Sequence, residues 1–114
     1  MNTDQFLKKI DSFNGELINL RRHIHAHPEL SGLENQTAIL ISGFLKNIGW
    51  NVRESIGRTG VVADFGPLDK GIIGLRVDMD ALPIIEETKL SFSSTLDKLY
   101  NAEKFLLSCG IPKI

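Results

Sequence analysis

The pattern of apolar and polar positions opens with a helix. Phe6, Leu7, Ile10, Phe13, Leu17, Leu20 and Ile24 recur at three- and four-residue steps, which lines one side of a helix with apolar side chains. Asn2 or Thr3 caps its start, and Gln5 stands three residues after Asn2, the spacing of a capping box. Gly15 weakens the middle by about 1 kcal/mol relative to Ala, and a bend is expected near Asn14-Gly15. Pro28 forces an end, because His27 before it is pushed out of the helical region. A second helix is predicted from Leu33 to Ile48, capped by Ser31 with Glu34 three residues on, and closed by Gly49. Ala38, Ile41, Phe44, Leu45 and Ile48 form its expected buried face.

The period then changes to two. Trp50 to Glu54 alternates and reads as a strand, Gly57 and Gly60 punctuate a loop, and Val61 to Phe65 reads as a second strand stopped by Gly66-Pro67. Ile72 to Met79 is the most apolar run and predicts a third strand covered on both faces. Thr95 to Cys109 again has helical spacing, at Leu96, Leu99, Ala102, Phe105 and Leu106. Helices followed by closely spaced strands predict an α/β or α+β layer.

Composition narrows the class. The chain has 114 residues, 42% hydrophobic and 24% charged, as expected for one globular domain. Thirteen basic and 14 acidic residues leave a formal charge of -1, with no basic footprint for nucleic acid or an anionic membrane. A single cysteine, Cys109, precludes an internal disulfide and a cysteine-rich zinc module, and no activating partner marks it as a nucleophile. The polar start MNTDQF is unlike a signal peptide and no apolar run approaches a membrane span, so a cytoplasmic protein is expected.

Two constellations carry candidate chemistry. His23, His25 and His27 crowd before Glu29, and imidazoles with a carboxylate bind zinc. On a helix only His23 and His27 share a face, and cations in a last turn complement the helix dipole without any metal. Asp78 and Asp80 end the apolar run, on one face if that run is a strand. Carboxylates at the carboxyl end of a central strand bind cations or orient a histidine; the same pair also suits a solvated turn before Pro83. Arg76, two residues earlier, is placed to pair with Asp78.

The segment Arg21-Arg22-His23-Ile24-His25-Ala26-His27-Pro28-Glu29-Leu30-Ser31, with Glu34, resembles the start of the metal-dependent amidohydrolases of the aminoacylase and carboxypeptidase group. Hippurate hydrolases, N-acyl-amino-acid amidohydrolases and auxin-conjugate hydrolases belong to that family. Thr59 to Ala63, the run Leu75 to Ile84 with Glu86, and Phe92-Ser93-Ser94 are similar to its following blocks, in order. The resemblance implies the amino-terminal part of a zinc-exopeptidase-like α/β catalytic domain: two helices, about three strands of a mixed sheet, then a divergent helical tail. It implies a zinc or manganese pair that polarises the scissile carbonyl of an N-acyl amino acid and activates water. Asp80 matches an aspartate that supports the metal centre from behind. Asp78 matches a position where distant relatives carry a metal-binding histidine, so it takes a supporting role; His25 and Pro28-Glu29-Leu30 match architectural positions.

The resemblance stops at Ser94. The family continues with a block His-Ala-Cys-Gly-His-Asp that supplies metal ligands, where this chain reads Thr95-Leu96-Asp97-Lys98 and has no histidine after His27. Residues 1–94 are therefore expected to form a partial catalytic domain and 95–114 a divergent helical tail. No ligand role passes to Cys109, no metal is expected to bind, and the chain alone is expected to be inactive. The alternative is a non-catalytic remnant or partner-binding domain that self-associates through an exposed sheet edge or apolar surface.

Overall fold

A computed structural model describes residues 2–94, so the helix expected over 95–109 lies outside the described residues. Two compact units divide the chain: one holds residues 2–28 and 84–94, the other Glu29–Pro83.

The first unit is built on helix α1, Thr3–Ala26. Its capping box forms as the spacing predicts: the Gln5 N–H donates to the Asn2 side chain at 2.9 Å, and the Asn2 N–H donates to the Gln5 side chain at 3.1 Å. The helix passes through Gly15 without interruption and ends where Pro28 requires, with the His27 N–H shared between the His23 and Ile24 carbonyls. No residue of α1 is buried.

The second unit packs helix α2, Asn35–Asn47, against an antiparallel pair, β1 (Asn51–Ile56) and β2 (Gly60–Asp64). The α2 terminus closes with Gly49 at φ 86°; its N–H bonds to the Lys46 carbonyl and the Trp50 N–H to the Leu45 carbonyl, a Schellman pair. Register runs Asn51 with Asp64, Val52 with Ala63 and Arg53 with Val62, then slips by a bulge that Ser55 absorbs at φ 59°. Gly60 is required at the hairpin, because a Cβ there would stand 2.4 Å from the Ile56 carbonyl oxygen. Trp50 and Phe65 stack at 5.5 Å across the open end of the pair.

Three expectations are corrected. Helix α2 starts at Asn35, its cap residue is Glu34, and Ser31 makes no capping bond. The buried side of α2 centres on Thr37 and Ser42; Ala38, Ile41, Phe44 and Leu45 are only partly covered and Ile48 is exposed. The physical reason is that α2 meets one narrow hairpin, which covers a thinner stripe than a broad sheet does. The third strand does not form: residues 71–80 are irregular, and Ile73 and Leu75 are each 93% exposed. An apolar run states what a segment prefers to bury, whereas a strand exists only when neighbours take its N–H and C=O groups. Among the described residues nothing pairs with 71–80, so the sheet is two-stranded and antiparallel rather than three-stranded and mixed. One parallel bridge, Leu30 with Ala81, ties the end of this stretch back; the Ala81 N–H donates to the Glu29 carbonyl at 2.8 Å. Among the described residues of this unit, Leu30 is the buried apolar one, at 1% exposed.

Candidate functional site

In the first unit the last turn of α1 presents His25 to Glu86, and the two meet at 2.7 Å through Nε2 and Oε2. The Glu86 carboxylate also accepts the Ser94 backbone N–H at 2.6 Å and the Thr88 hydroxyl. These contacts, led by the Ser94 N–H and the Thr88 hydroxyl with His25 adding less, hold the Glu86 carboxyl at about 2 against an ordinary 4.5. Phe92 lies edge-on to His25 at 6.0 Å, and the Arg22 guanidinium covers its ring at 4.6 Å. His25 thus fastens residues 84–94 to the helix end.

His23 and His27 share a face, as their spacing predicts, with ring centres 4.5 Å apart. His27 Nδ1 donates to the His23 carbonyl at 2.8 Å, so that nitrogen is engaged with the helix end.

The second unit carries the aspartates. Asp78 pairs with Arg76 at 2.8 Å, as the sequence suggests, on side chains 68% and 88% exposed. Asp80 is exposed and, among the described residues, has no hydrogen-bond or ion-pair partner. Without a strand over 72–79, no ladder holds the two carboxylates on one face.

Glu29 and Glu34 do the structural work here. The Gln36 and Thr37 N–H groups, second and third in α2, donate to the two Glu29 oxygens at 3.1 and 2.7 Å. These donors are the ones a helix normally directs at its cap side chain, so Glu29 caps α2 from seven and eight residues upstream. Glu34, 6% exposed, accepts the Gly32 N–H and the Thr59 hydroxyl, each at 2.8 Å. Burial pushes its carboxyl up, but these bonds, its own backbone N–H and the Arg58 charge outweigh burial and leave it below the usual range. Beside it an open cleft of about 220 Å³ is lined by Asn35, Ala38, Glu54, Arg58 and Thr59. Lys46 and Ser42 both donate to Glu54 on its wall, the former at 2.6 Å. Sequence reasoning places Glu29 and Glu34 near the helix start but misses what each holds; the acid five residues before Glu34 is the only local hint.

Glu29, Glu34, Glu86 and Asp78 each have N–H, hydroxyl, imidazole or guanidinium partners of their own, and no three His, Cys, Asp or Glu among the described residues converge on one point.

No family model matches the chain. It is 50% identical over 80 residues to a Synechocystis protein described as a probable hydrolase, covering 68% of this chain and 20% of that one. It is 43% identical over 100 residues to the hippurate hydrolase of Campylobacter jejuni, covering 84% of this chain and 25% of the enzyme. Among solved structures, a dinuclear metal-binding peptidase of the M20 family from Bacillus subtilis superimposes with a TM-score of 0.68 at 39% identity, over 75% of this chain and 24% of that one. The chain spans a quarter or less of the length of these relatives. Taken with the ordered sequence blocks, these likenesses identify the chain as a member, over that amino-terminal stretch, of the metal-dependent amidohydrolase family that includes the M20 peptidases.

Proposed function

We propose that residues 1–94 correspond to the part of an amidohydrolase that braces the metal centre of an N-acyl-amino-acid hydrolase, without the ligand block itself. In this reading Asp80 supports the centre from behind, Asp78 assists it, and residues 95–114 are a divergent tail. The chain alone neither holds the zinc or manganese pair nor cleaves an amide. One observation carries this reading: family likeness runs in order to Ser94, and Thr95 onward lacks the His-Ala-Cys-Gly-His-Asp block. The engaged carboxylates described above support it, because a cation without several open donors has neither affinity nor a fixed position for water.

The test is calorimetric titration of the purified chain with zinc and with manganese, alongside turnover of an N-benzoyl or N-acetyl amino acid. Negligible heat and no product are expected. Stoichiometric tight binding with amide cleavage overturns the reading.

A second reading, a non-catalytic partner-binding domain, is favoured by the uncovered run Ile72, Ile73, Leu75 and Val77, each at least 80% exposed. Self-association lost on Leu75→Lys, with no turnover at any metal concentration, supports it; a Leu75→Lys variant that behaves as wild type removes it.

A further inference from the structure

The apolar stripe of α1 contains a stricter pattern than amphipathicity requires. Phe6, Ile10, Phe13, Leu17, Leu20 and Ile24 are separated by steps of four, three, four, three and four, the heptad seam of a two-stranded coiled coil. From Phe6 to Ile24 the seam runs about 27 Å along the helix. Phe6, Ile10, Phe13 and Leu17 are about half exposed, at 47 to 51%, and Leu20 and Ile24 are partly exposed.

Among the described residues, the hydrogen bonds and ring contacts of the first unit do not fall on this seam. Residues 84–94 reach α1 through Arg22 and His25, by way of Phe92 and Glu86. Neither Arg22 nor His25 belongs to the six-residue seam. The clip therefore fastens a different face of the same helix.

We propose that α1 is a self-association surface whose occupant is the α1 of a second copy, in parallel register. Charge chooses the orientation. Glu16 and Arg21 flank the seam on opposite sides, five positions apart, which is the offset at which flanking residues of parallel partners meet. Each dimer then gains two Glu16–Arg21 pairs between copies. An antiparallel pair with full overlap instead sets Glu16 against its own copy. Within one helix, residues five apart do not face each other, so Glu16 and Arg21 of one copy do not pair with each other. Ile10 and Ile24 share one seam position with Leu17, and Leu20 shares the other with Phe6 and Phe13; the Ile and Leu20 choices are those that favour two strands.

Analytical ultracentrifugation of the full chain across a concentration series tests it. A reversible monomer–dimer equilibrium is expected, weakened at least tenfold by Leu17→Lys and unaffected by Leu75→Lys. Glu16→Arg weakens it several-fold by setting two arginines together, and adding Arg21→Glu to that variant restores it. The charge-swapped double variant keeps helix and seam intact, so recovery reports pairing between copies rather than folding. A monomer at every concentration overturns the proposal, as does a dimer indifferent to Leu17→Lys, or one that Glu16→Arg weakens and the added Arg21→Glu does not restore. Association abolished by Leu75→Lys instead assigns it to the 72–77 run and also overturns it.

Discussion

Removing the Glu29 carboxylate separates two accounts of how α2 begins. Local spacing assigns the cap to Ser31, while the structure directs the Gln36 and Thr37 N–H groups to Glu29 at 3.1 and 2.7 Å. Losing a cap costs about 0.5–2 kcal/mol. Losing a negative charge from a helix start costs about 0.3–1 kcal/mol more. Thr37 is only 4% exposed, so its N–H cannot recover the bond from water freely. Glu29→Ala is therefore expected to cost about 2 kcal/mol, equivalent to a drop of roughly 8–16 °C in Tm for a domain of this size. Glu29→Gln keeps an acceptor without the charge and is expected to cost about half as much. Ser31→Ala, which removes no bond, is expected within about 0.5 kcal/mol of wild type. Urea unfolding followed by far-UV circular dichroism measures all three. Equal costs for Glu29→Ala and Ser31→Ala, or a Glu29→Ala cost below about 0.5 kcal/mol, refute the reasoning.

The Glu86 carboxyl is lowered in the folded state to about 2 from 4.5, so its contribution is complete above about 4.5 and is lost as pH falls through about 2. The Ser94 amide proton, followed by NMR, is expected to titrate near the lower value; a midpoint near 4.5 contradicts the His25–Glu86–Ser94 clip. Gly60→Ala is expected to destabilise by roughly 1–3 kcal/mol, since the new Cβ meets backbone at 2.4 Å. Gly15→Ala, in open helix with nothing within 4 Å, is expected to stabilise by about 0.5–1 kcal/mol, and thermal melts of the two variants should move in opposite directions. Asp78→Asn breaks an ion pair exposed on both sides and is expected to change unfolding stability by less than about 0.5 kcal/mol in urea titrations.

The sequence by itself determined those features whose partners are near neighbours in the chain. The Asn2–Gln5 box, the stop at Pro28, the Gly49 terminus and the Arg76–Asp78 pair join residues no more than five apart, where spacing specifies geometry. The two strands followed for the same reason, from short runs on either side of a glycine-marked loop, while their antiparallel pairing came from the structure. Tertiary structure alone decided that His25 meets Glu86 across 61 residues, that Glu34 takes the Thr59 hydroxyl across 25, and that Glu29 displaces Ser31 as the cap. It also decided that Ile72 to Met79 stays unpaired among the described residues, despite the most apolar pattern in that part of the chain. Periodicity records which side a segment would bury; whether another segment arrives to cover it depends on contacts that no local pattern encodes.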